Sequence, residues 1–129
     1  MQKLVIRLAV LSERTELEQL QTRASLANEG DRDALLAHPD AIAIPAEQIS
    51  IGRLFVAESE TVIVGFAAVE PREDGESELD ALFVDPHMQC RGIGRALIEY
   101  CADFAHKQGS AALHVVGNPH AKHFYEECG

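Results

Sequence analysis

Residues Glu78–Leu97 read ELDALFVDPHMQCRGIGRAL, and this stretch decides how the rest of the chain is interpreted. Its composition predicts a strand up to Val84, then a short loop with two glycines and a helix that starts at Gly92. The first turn of such a helix presents backbone N–H groups that have no partner within the helix, and Gly92 and Gly94 leave them accessible. Because these amides and the helix dipole favour anions, the stretch predicts a phosphate-binding turn.

Composition and charge limit the class of protein. The chain has 129 residues, of which 47% are hydrophobic, and this predicts a single globular domain over residues 1–129. The net charge of −10 argues against a nucleic-acid partner and favours a cationic one such as an amine, although a solvated acidic surface that keeps the protein soluble also explains it. Three widely spaced cysteines, Cys90, Cys101 and Cys128, are typical of reduced thiols in a cytoplasmic protein. No signal peptide or membrane span is predicted.

Strand and helix patterns alternate along the chain. Ser12 or Thr15 is predicted to be the N-cap of the first helix, and Thr15 and Glu18 have the spacing of a capping box. The stretch around Pro45 is predicted to be loop. The order β-α-α-β-β-β-α-β-α predicts an α/β (α+β) fold with one mixed sheet and helices on both faces. The predicted elements are strand Leu4–Val10, a helix to Asn28, a short helix Asp31–Ala37, strands Arg53–Glu58, Thr61–Glu70 and Glu78–Val84, a helix that starts at Gly92 with Lys107 near its end and Gly109 as its stop, strand Ala111–Val116 and a helix from Pro119 to about Glu127.

Two other phosphate-binding patterns fit the loop less well. A dinucleotide fingerprint requires a third glycine, where this chain has Leu97, and an acid about twenty residues later, which Ala111–Val116 does not supply. A nucleotide-triphosphate loop requires Gly-Lys-Ser/Thr, whereas Arg95 and Ala96 follow Gly94. A dinucleotide enzyme is therefore the weaker alternative.

The loop does contain the pattern Gln89-x-x-Gly92-x-Gly94. In this the sequence resembles the GNAT superfamily of N-acetyltransferases, whose acetyl-CoA loop has the pattern Gln/Arg-x-x-Gly-x-Gly/Ala. Residues 82–86, LFVDP, are similar to the family's strand-to-loop segment, and residues 118–129, NPHAKHFYEECG, to its Asn-x-x-Ala-x-x-Phe-Tyr-Glu-x-x-Gly signature. Gly65-Phe66-Ala67 is similar to its third strand. The resemblance covers most of the chain and implies a mixed, mostly antiparallel GNAT-like sheet.

The resemblance also implies acetyl-CoA as cosubstrate. By this comparison the phosphate turn holds the pyrophosphate, the backbone at Phe83 and Val84 pairs with the pantetheine arm, and Asn118 contacts the cofactor. Cys90 lies in the turn, but no adjacent histidine or acid forms a nucleophilic relay with it, so it is interpreted as a bystander to the chemistry. The residues of the turn with this implied role are Gln89, Cys90, Arg91, Gly92, Ile93, Gly94 and Arg95.

Acetyl transfer to an amine requires a base for the ammonium proton, a donor to the carbonyl oxygen and an acid for the leaving thiolate. The offset of Glu78 from Gln89 resembles that of the base glutamate in some family members, and Asp80, on the same strand face, is the substitute. Tyr125 matches the family's tyrosine general acid. A backbone N–H near Val84 is the predicted oxyanion donor if the strand splays there. The alternatives are exposed carboxylates at a strand end and a tyrosine packed on the sheet.

Histidines and the remaining cysteine suggest no metal site. His120, His123 and Cys128 follow one another on the predicted last helix, but a solvated helix face explains them, and no metal is predicted. His114 is interpreted as a packed or solvated histidine rather than a contact to the acceptor.

After Gly129 a GNAT domain normally adds two further strands, so the resemblance implies a C-terminally short domain. Its fifth strand would lack a neighbour, and we expect either a shortened form, a fold completed in another way, or another subunit, such as a second copy in a homodimer, that covers the exposed edge. The predicted function is a cytoplasmic N-acetyltransferase that moves an acetyl group from acetyl-CoA to a primary amine of a small molecule or peptide by direct transfer. The alternative is a non-catalytic acyl-CoA-binding or interaction module.

Overall fold

Five strands in the described part of the chain form one sheet with the order β1-β2-β3-β4-β5. The structure, a computed structural model, describes residues 4–27, 32–33, 36–37, 43–88, 91–110 and 112–115. Single 3₁₀ turns precede the first helix and follow the fourth strand. The elements are β1 (Leu4–Leu8), α1 (Arg14–Ala27), α2 (Ala46–Ser50), β2 (Leu54–Ser59), β3 (Val62–Pro71), β4 (Ser77–Val84), α3 (Ile93–Lys107) and β5 (Leu113–Val115).

The sheet is mostly antiparallel, as predicted. Strands β1 to β4 each pair antiparallel with the next, and β4 pairs with β5 in parallel. Glu60 and Thr61 connect β2 to β3 with positive φ values of 51° and 69°, the backbone conformation of a two-residue hairpin turn that matches strand twist. The predicted hairpin is confirmed, with its turn one residue later than the sequence indicated.

The buried apolar side chains form two clusters on opposite faces of the sheet. One cluster lies beneath α1 and α2 and includes Leu17, Ile49 and Phe66. The other lies beneath α3 and includes Phe55 and Leu97. The prediction of helices on both faces is therefore confirmed.

A β-bulge in β4 decides which way the second half of that strand faces. The register of β3 against β4 shifts between Ala68 and Val69, and this leaves Asp80 as the extra residue on β4. Leu79 packs in the α3-side cluster, whereas Ala81 packs against the α1-side cluster. Simple alternation from Leu79 would have placed Ala81 toward α3.

The start of α1 differs from the prediction. The helix begins one residue before Thr15, so Thr15 lies within it and the predicted capping box with Glu18 is wrong. The other predicted cap, Ser12, lies in the preceding 3₁₀ turn. The carboxylate of Glu13 instead accepts a hydrogen bond from the backbone N–H of Val10 at 3.0 Å. In a capping box the carboxylate three residues after the N-cap makes this same contact with the N-cap N–H.

Arg7 ties β1 to the start of α1 and to β2. Its guanidinium donates to Glu13 at 2.7 Å and to Glu58 at 2.8 Å. The hydrogen bond from Arg7 holds the pKa of the Glu13 carboxyl below its usual value, and the two carboxylates raise the pKa of Arg7.

Helix α2 lies where the sequence predicted loop, so that prediction was wrong. Pro45 directly precedes the helix, a place where proline costs little because the first N–H groups of a helix have no intrahelical partner. Within the predicted helix Asp31–Ala37, residues 32–33 and 36–37 are helical; its other residues, and the predicted helix from Pro119, lie outside the described residues. No helix in the described ranges is long and apolar enough to cross a membrane.

Candidate active site

The predicted phosphate turn lies at the start of α3 and is open. Gly92 precedes the helix with φ 82° and ψ 4°, a left-handed conformation that strains residues with a side chain. The first hydrogen bond of the helix runs from the Ala96 N–H to the Gly92 carbonyl at 3.0 Å. The backbone N–H groups of residues 93–95 therefore have no acceptor within the helix. Apart from Gly92 itself, its chain neighbours and the adjacent helix backbone, no described atom lies within 4 Å of where a Cβ of Gly92 would be. This geometry fits an oxyanion such as a diphosphate.

Two arginines flank the turn. Arg91 and Arg95 are exposed, while Ile93 and Gly94 are buried against the sheet. Exposed guanidinium groups beside unpartnered amides add positive charge where the helix dipole already attracts an anion. The other two residues predicted for the turn, at positions 89 and 90, lie outside the described residues.

Gly65 brings the start of α3 onto the sheet. A Cβ at this glycine of β3 would lie 3.3 Å from Ile93 Cγ2, 3.2 Å from Leu97 Cδ1 and 3.0 Å from the Phe83 carbonyl oxygen. Because the glycine has no side chain, the first two turns of α3 pack directly over β3 at Gly65, which pairs with Val84 at the end of β4. The phosphate turn and the predicted pantetheine-binding backbone are therefore neighbours.

Asp85 orders the segment between β4 and the turn. Its backbone N–H donates to the Val64 carbonyl at 2.8 Å, and its Oδ1 accepts from the backbone N–H of His87 at 3.1 Å. Its Oδ2 accepts from Arg23 Nη2 of α1 at 3.0 Å. This single carboxylate links the segment before the turn to α1.

The outer edge of β4 has two different parts. β5 pairs with Ser77–Leu79, and no other strand among the described residues pairs with the outer edge of residues 80–84. Phe83 and Val84, whose backbone is predicted to pair with pantetheine, lie in this second part. The bulge in β4 is at Asp80, whereas Val84 pairs regularly with Gly65 of β3. At Val84, therefore, β4 does not splay away from β3.

The two predicted base residues lie near a third acid. Glu78 is directly opposite Glu70 in the β3–β4 register and beside His114 of β5. Gln48 Nε2 of α2 donates to Glu70 Oε1 at 2.6 Å and to Asp80 Oδ2 at 3.1 Å. These contacts place the acids on the α1 and α2 side of the sheet. Glu70 and Gln48 were not predicted as site residues. The register of the β3–β4 hairpin would have placed Glu70 opposite Glu78, but no sequence motif around Gln48 indicates a role.

The remaining predicted residues divide into buried and undescribed ones. Cys101 is buried, and burial raises the pKa of its thiol to about 12, which makes it a poor nucleophile at neutral pH. Tyr125 and Asn118 lie outside the described residues, as do His120 and His123. Among the residues that the structure places, no group of three or more histidine, cysteine or acidic side chains is arranged to hold a metal ion.

The model of the acetyltransferase (GNAT) family matches residues 15–129. The chain belongs to this family. The family is one of acyltransferases, so the class predicted from the glycine loop and the C-terminal signature is confirmed. None of the curated proteins matches the sequence.

Solved GNAT structures share this fold. PaiA N-acetyltransferase from Thermoplasma acidophilum, in complex with coenzyme A, matches with a TM-score of 0.74 and 16% identity over 98% of this chain and 89% of that one. Ribosomal-protein-S18-alanine N-acetyltransferase from Escherichia coli matches with a TM-score of 0.65 and 22% identity over 98% and 77%. N-acetylglutamate synthase from Neisseria gonorrhoeae, complexed with coenzyme A and N-acetyl-glutamate, matches with a TM-score of 0.69 and 21% identity. The match covers 97% of this chain but only 28% of the synthase chain. These likenesses confirm the predicted GNAT-like fold.

Proposed function

We propose that this GNAT chain transfers the acetyl group of acetyl-CoA to a primary amine of a small molecule or peptide. One observation carries the proposal: the open first turn of α3, flanked by exposed Arg91 and Arg95, lies beside the end of β4. This arrangement fits a ligand with a diphosphate and an extended amide-bearing arm, which is the shape of acetyl-CoA. Structural neighbours crystallised with coenzyme A or acetyl-CoA support the same ligand.

In the proposed reaction the amine arrives as an ammonium ion and loses a proton to Glu78 or Asp80, directly or through water. The neutral nitrogen attacks the thioester carbonyl carbon, the new C–N bond forms, and the C–S bond breaks with its electron pair on sulfur. The nitrogen, positively charged after the attack, loses a second proton to water as the amide forms, and a proton from solvent restores the phenol that protonates the sulfur. Tyr125, assigned from the family signature alone, gives its proton to the thiolate, because a phenol is still protonated at neutral pH.

The acceptor is proposed to be cationic before it reacts. The chain has a net charge of −10, and the acids of the proposed base region lie together on β3 and β4. Such a surface attracts an ammonium ion. A cytoplasmic location, where thiols stay reduced, and a partner subunit on the sheet edge both stay predictions.

Titration calorimetry with acetyl-CoA, followed by an assay of CoA thiol release with polyamines, amino sugars and peptides, tests the proposal. We expect saturable binding and release of thiol with at least one amine. Arg95→Glu should weaken acetyl-CoA binding about tenfold, because it reverses a charge beside the turn amides. Lys107→Glu makes the same reversal at the other end of α3 and should change affinity less than about twofold.

The outcomes separate the candidate functions. No binding at millimolar acetyl-CoA removes the cofactor proposal. Binding without thiol release for any amine favours the non-catalytic acyl-CoA-binding module. With an active wild type, Tyr125→Phe should lower turnover and leave acetyl-CoA affinity nearly unchanged, and equal turnover would remove Tyr125 as the acid.

A further inference from the structure

Gln48 is buried where α2 meets β3 and β4, with 7% of its surface exposed. A buried amide without hydrogen-bond partners destabilises the fold, so nearly all buried amides have them. Its Nε2 donates to Glu70 Oε1 at 2.6 Å and to Asp80 Oδ2 at 3.1 Å. One nitrogen therefore holds two carboxylates from neighbouring strands at fixed positions.

The backbone around Gln48 is itself anchored. Its N–H donates to the Pro45 carbonyl at 3.1 Å, and its carbonyl accepts from the Arg53 N–H, at the start of β2, also at 3.1 Å. The next residue, Ile49, is buried in the α1-side cluster. A side chain on such a rigid support can fix the position of the groups that it contacts.

Asp80 and Glu78, the two predicted bases, differ in how they are held. Asp80 is the extra residue of the β4 bulge and is exposed, and one of its oxygens is held by Gln48. No described residue donates a hydrogen bond to the other oxygen of Asp80 or to the carboxylate of Glu78. A bulge of this kind often re-aims a side chain beside an active site. Asp80 thus presents one oxygen to solvent with its orientation already fixed.

We propose that Gln48 is a positioning residue that holds Asp80 as the base for the acceptor amine, an inference that rests on the proposed acetyl transfer. The Asp80 oxygen bound to Gln48 stays an acceptor of that hydrogen bond. The other oxygen takes the proton from the ammonium ion, and the nitrogen keeps the electron pair with which it attacks the thioester. Asp80 later passes the proton to solvent. Glu70, held by the same amide, adds negative charge that attracts the ammonium ion.

Gln48→Met tests the role, because it keeps the length of the side chain and removes both N–H donors. Kinetics are measured at saturating acetyl-CoA with the fastest acceptor among spermidine, glucosamine and a short peptide. We expect kcat to fall about tenfold and the acetyl-CoA dissociation constant to stay within about twofold. Gln19→Met, the same change at an exposed position of α1, should leave both unchanged.

A double-mutant cycle with Asp80→Asn distinguishes positioning from a general structural effect. Asp80→Asn should lower kcat about 100-fold, and Gln48→Met should add nothing further in that background, because the group it positions is gone. Losses that multiply in the double variant, or an unchanged kcat in Gln48→Met, overturn the role of Gln48 while acetyl transfer stands. A wild type that transfers no acetyl group overturns the proposed function and this role with it.

If Gln48→Met does not fold, as judged by its thermal unfolding, substitutions of the two predicted base residues test the proposal instead. Asp80→Asn should then lose far more turnover than Glu78→Gln, since only Asp80 is held in place. Equal or larger loss in Glu78→Gln overturns the assignment of Asp80 and Gln48, while acetyl transfer by the wild type still stands.

Discussion

Gly65 sets the distance between α3 and the sheet. A methyl group there would lie 3.0 Å from the Phe83 carbonyl oxygen, which is backbone and cannot move aside cheaply, and 3.2 Å from Leu97. We predict that Gly65→Ala lowers the free energy of unfolding by about 1–3 kcal/mol through overpacking. It should also weaken acetyl-CoA binding, because α3 carries the phosphate turn. Denaturant unfolding and calorimetry measure the two effects.

Gly75→Ala is the control for Gly65→Ala. Gly75 has φ 86° and no described atom within 4 Å of its Cβ position, so alanine there costs about 1–2 kcal/mol of backbone strain and creates no clash. Its acetyl-CoA affinity should match that of the wild type. Equal losses of affinity in both variants would show that general instability, rather than the position of α3, sets the affinity.

Local motifs made some residues of the candidate site predictable from sequence, whereas others are defined by long-range contacts that no motif shows. Gly92 could be assigned because the phosphate turn is a continuous stretch whose geometry depends on neighbouring residues. Gln48 could not, since its contact with Asp80 joins positions 32 residues apart and α2 gave no pattern of its own. The bulge at Asp80 was hidden too, because alternation of apolar residues cannot show where one strand gains a residue.

Among the elements, the 3₁₀ turn Pro86–Met88 follows β4 and precedes the segment that leads to α3. Asp85 both caps this turn through His87 and pairs with Arg23, whose side chain is 47% exposed. A half-exposed ion pair contributes only about 0.2–1 kcal/mol, whereas a lost cap costs about 0.5–2 kcal/mol. We therefore predict that Asp85→Ala weakens acetyl-CoA binding about tenfold and that Arg23→Met weakens it less than about threefold. Calorimetry compares them, and a larger effect of Arg23→Met would mean that α1, not the cap, orders the turn.

Element types were predictable where the periodicity was long and clear. The helix predicted to start at Gly92 and to stop at Gly109 is observed as Ile93–Lys107. It was predictable because Ile93, Leu97 and Cys101 recur on one buried face and Gly109, with φ 92°, follows its end. α2 was missed because a five-residue helix has too few turns to show a period, and Pro45 suggested a break.

At the scale of the whole molecule, charge and fold act together on the two substrates. α3 places positive groups on one side of β4, while the acids of β3 and β4 lie on the side covered by α1 and α2. The anionic cofactor and the cationic acceptor that we propose would thus be attracted to different faces of the same strand. Composition predicted the net charge of −10 but not this separation, which depends on the register of the sheet.

This separation predicts how acetyl transfer depends on salt. With acetyl-CoA saturating, kcat/KM for a cationic amine should fall severalfold between about 20 mM and about 500 mM salt, because the Debye length shrinks to a few ångströms. Glu73→Gln, in the shallow depression that also contains Glu78, should lower kcat/KM about twofold at low salt and leave kcat unchanged. Glu99→Gln removes the same charge from the exposed surface of α3 and should have a smaller effect. A kcat/KM that does not change with salt, or equal effects of the two variants, would mean that the acidic surface serves solubility and does not guide the amine.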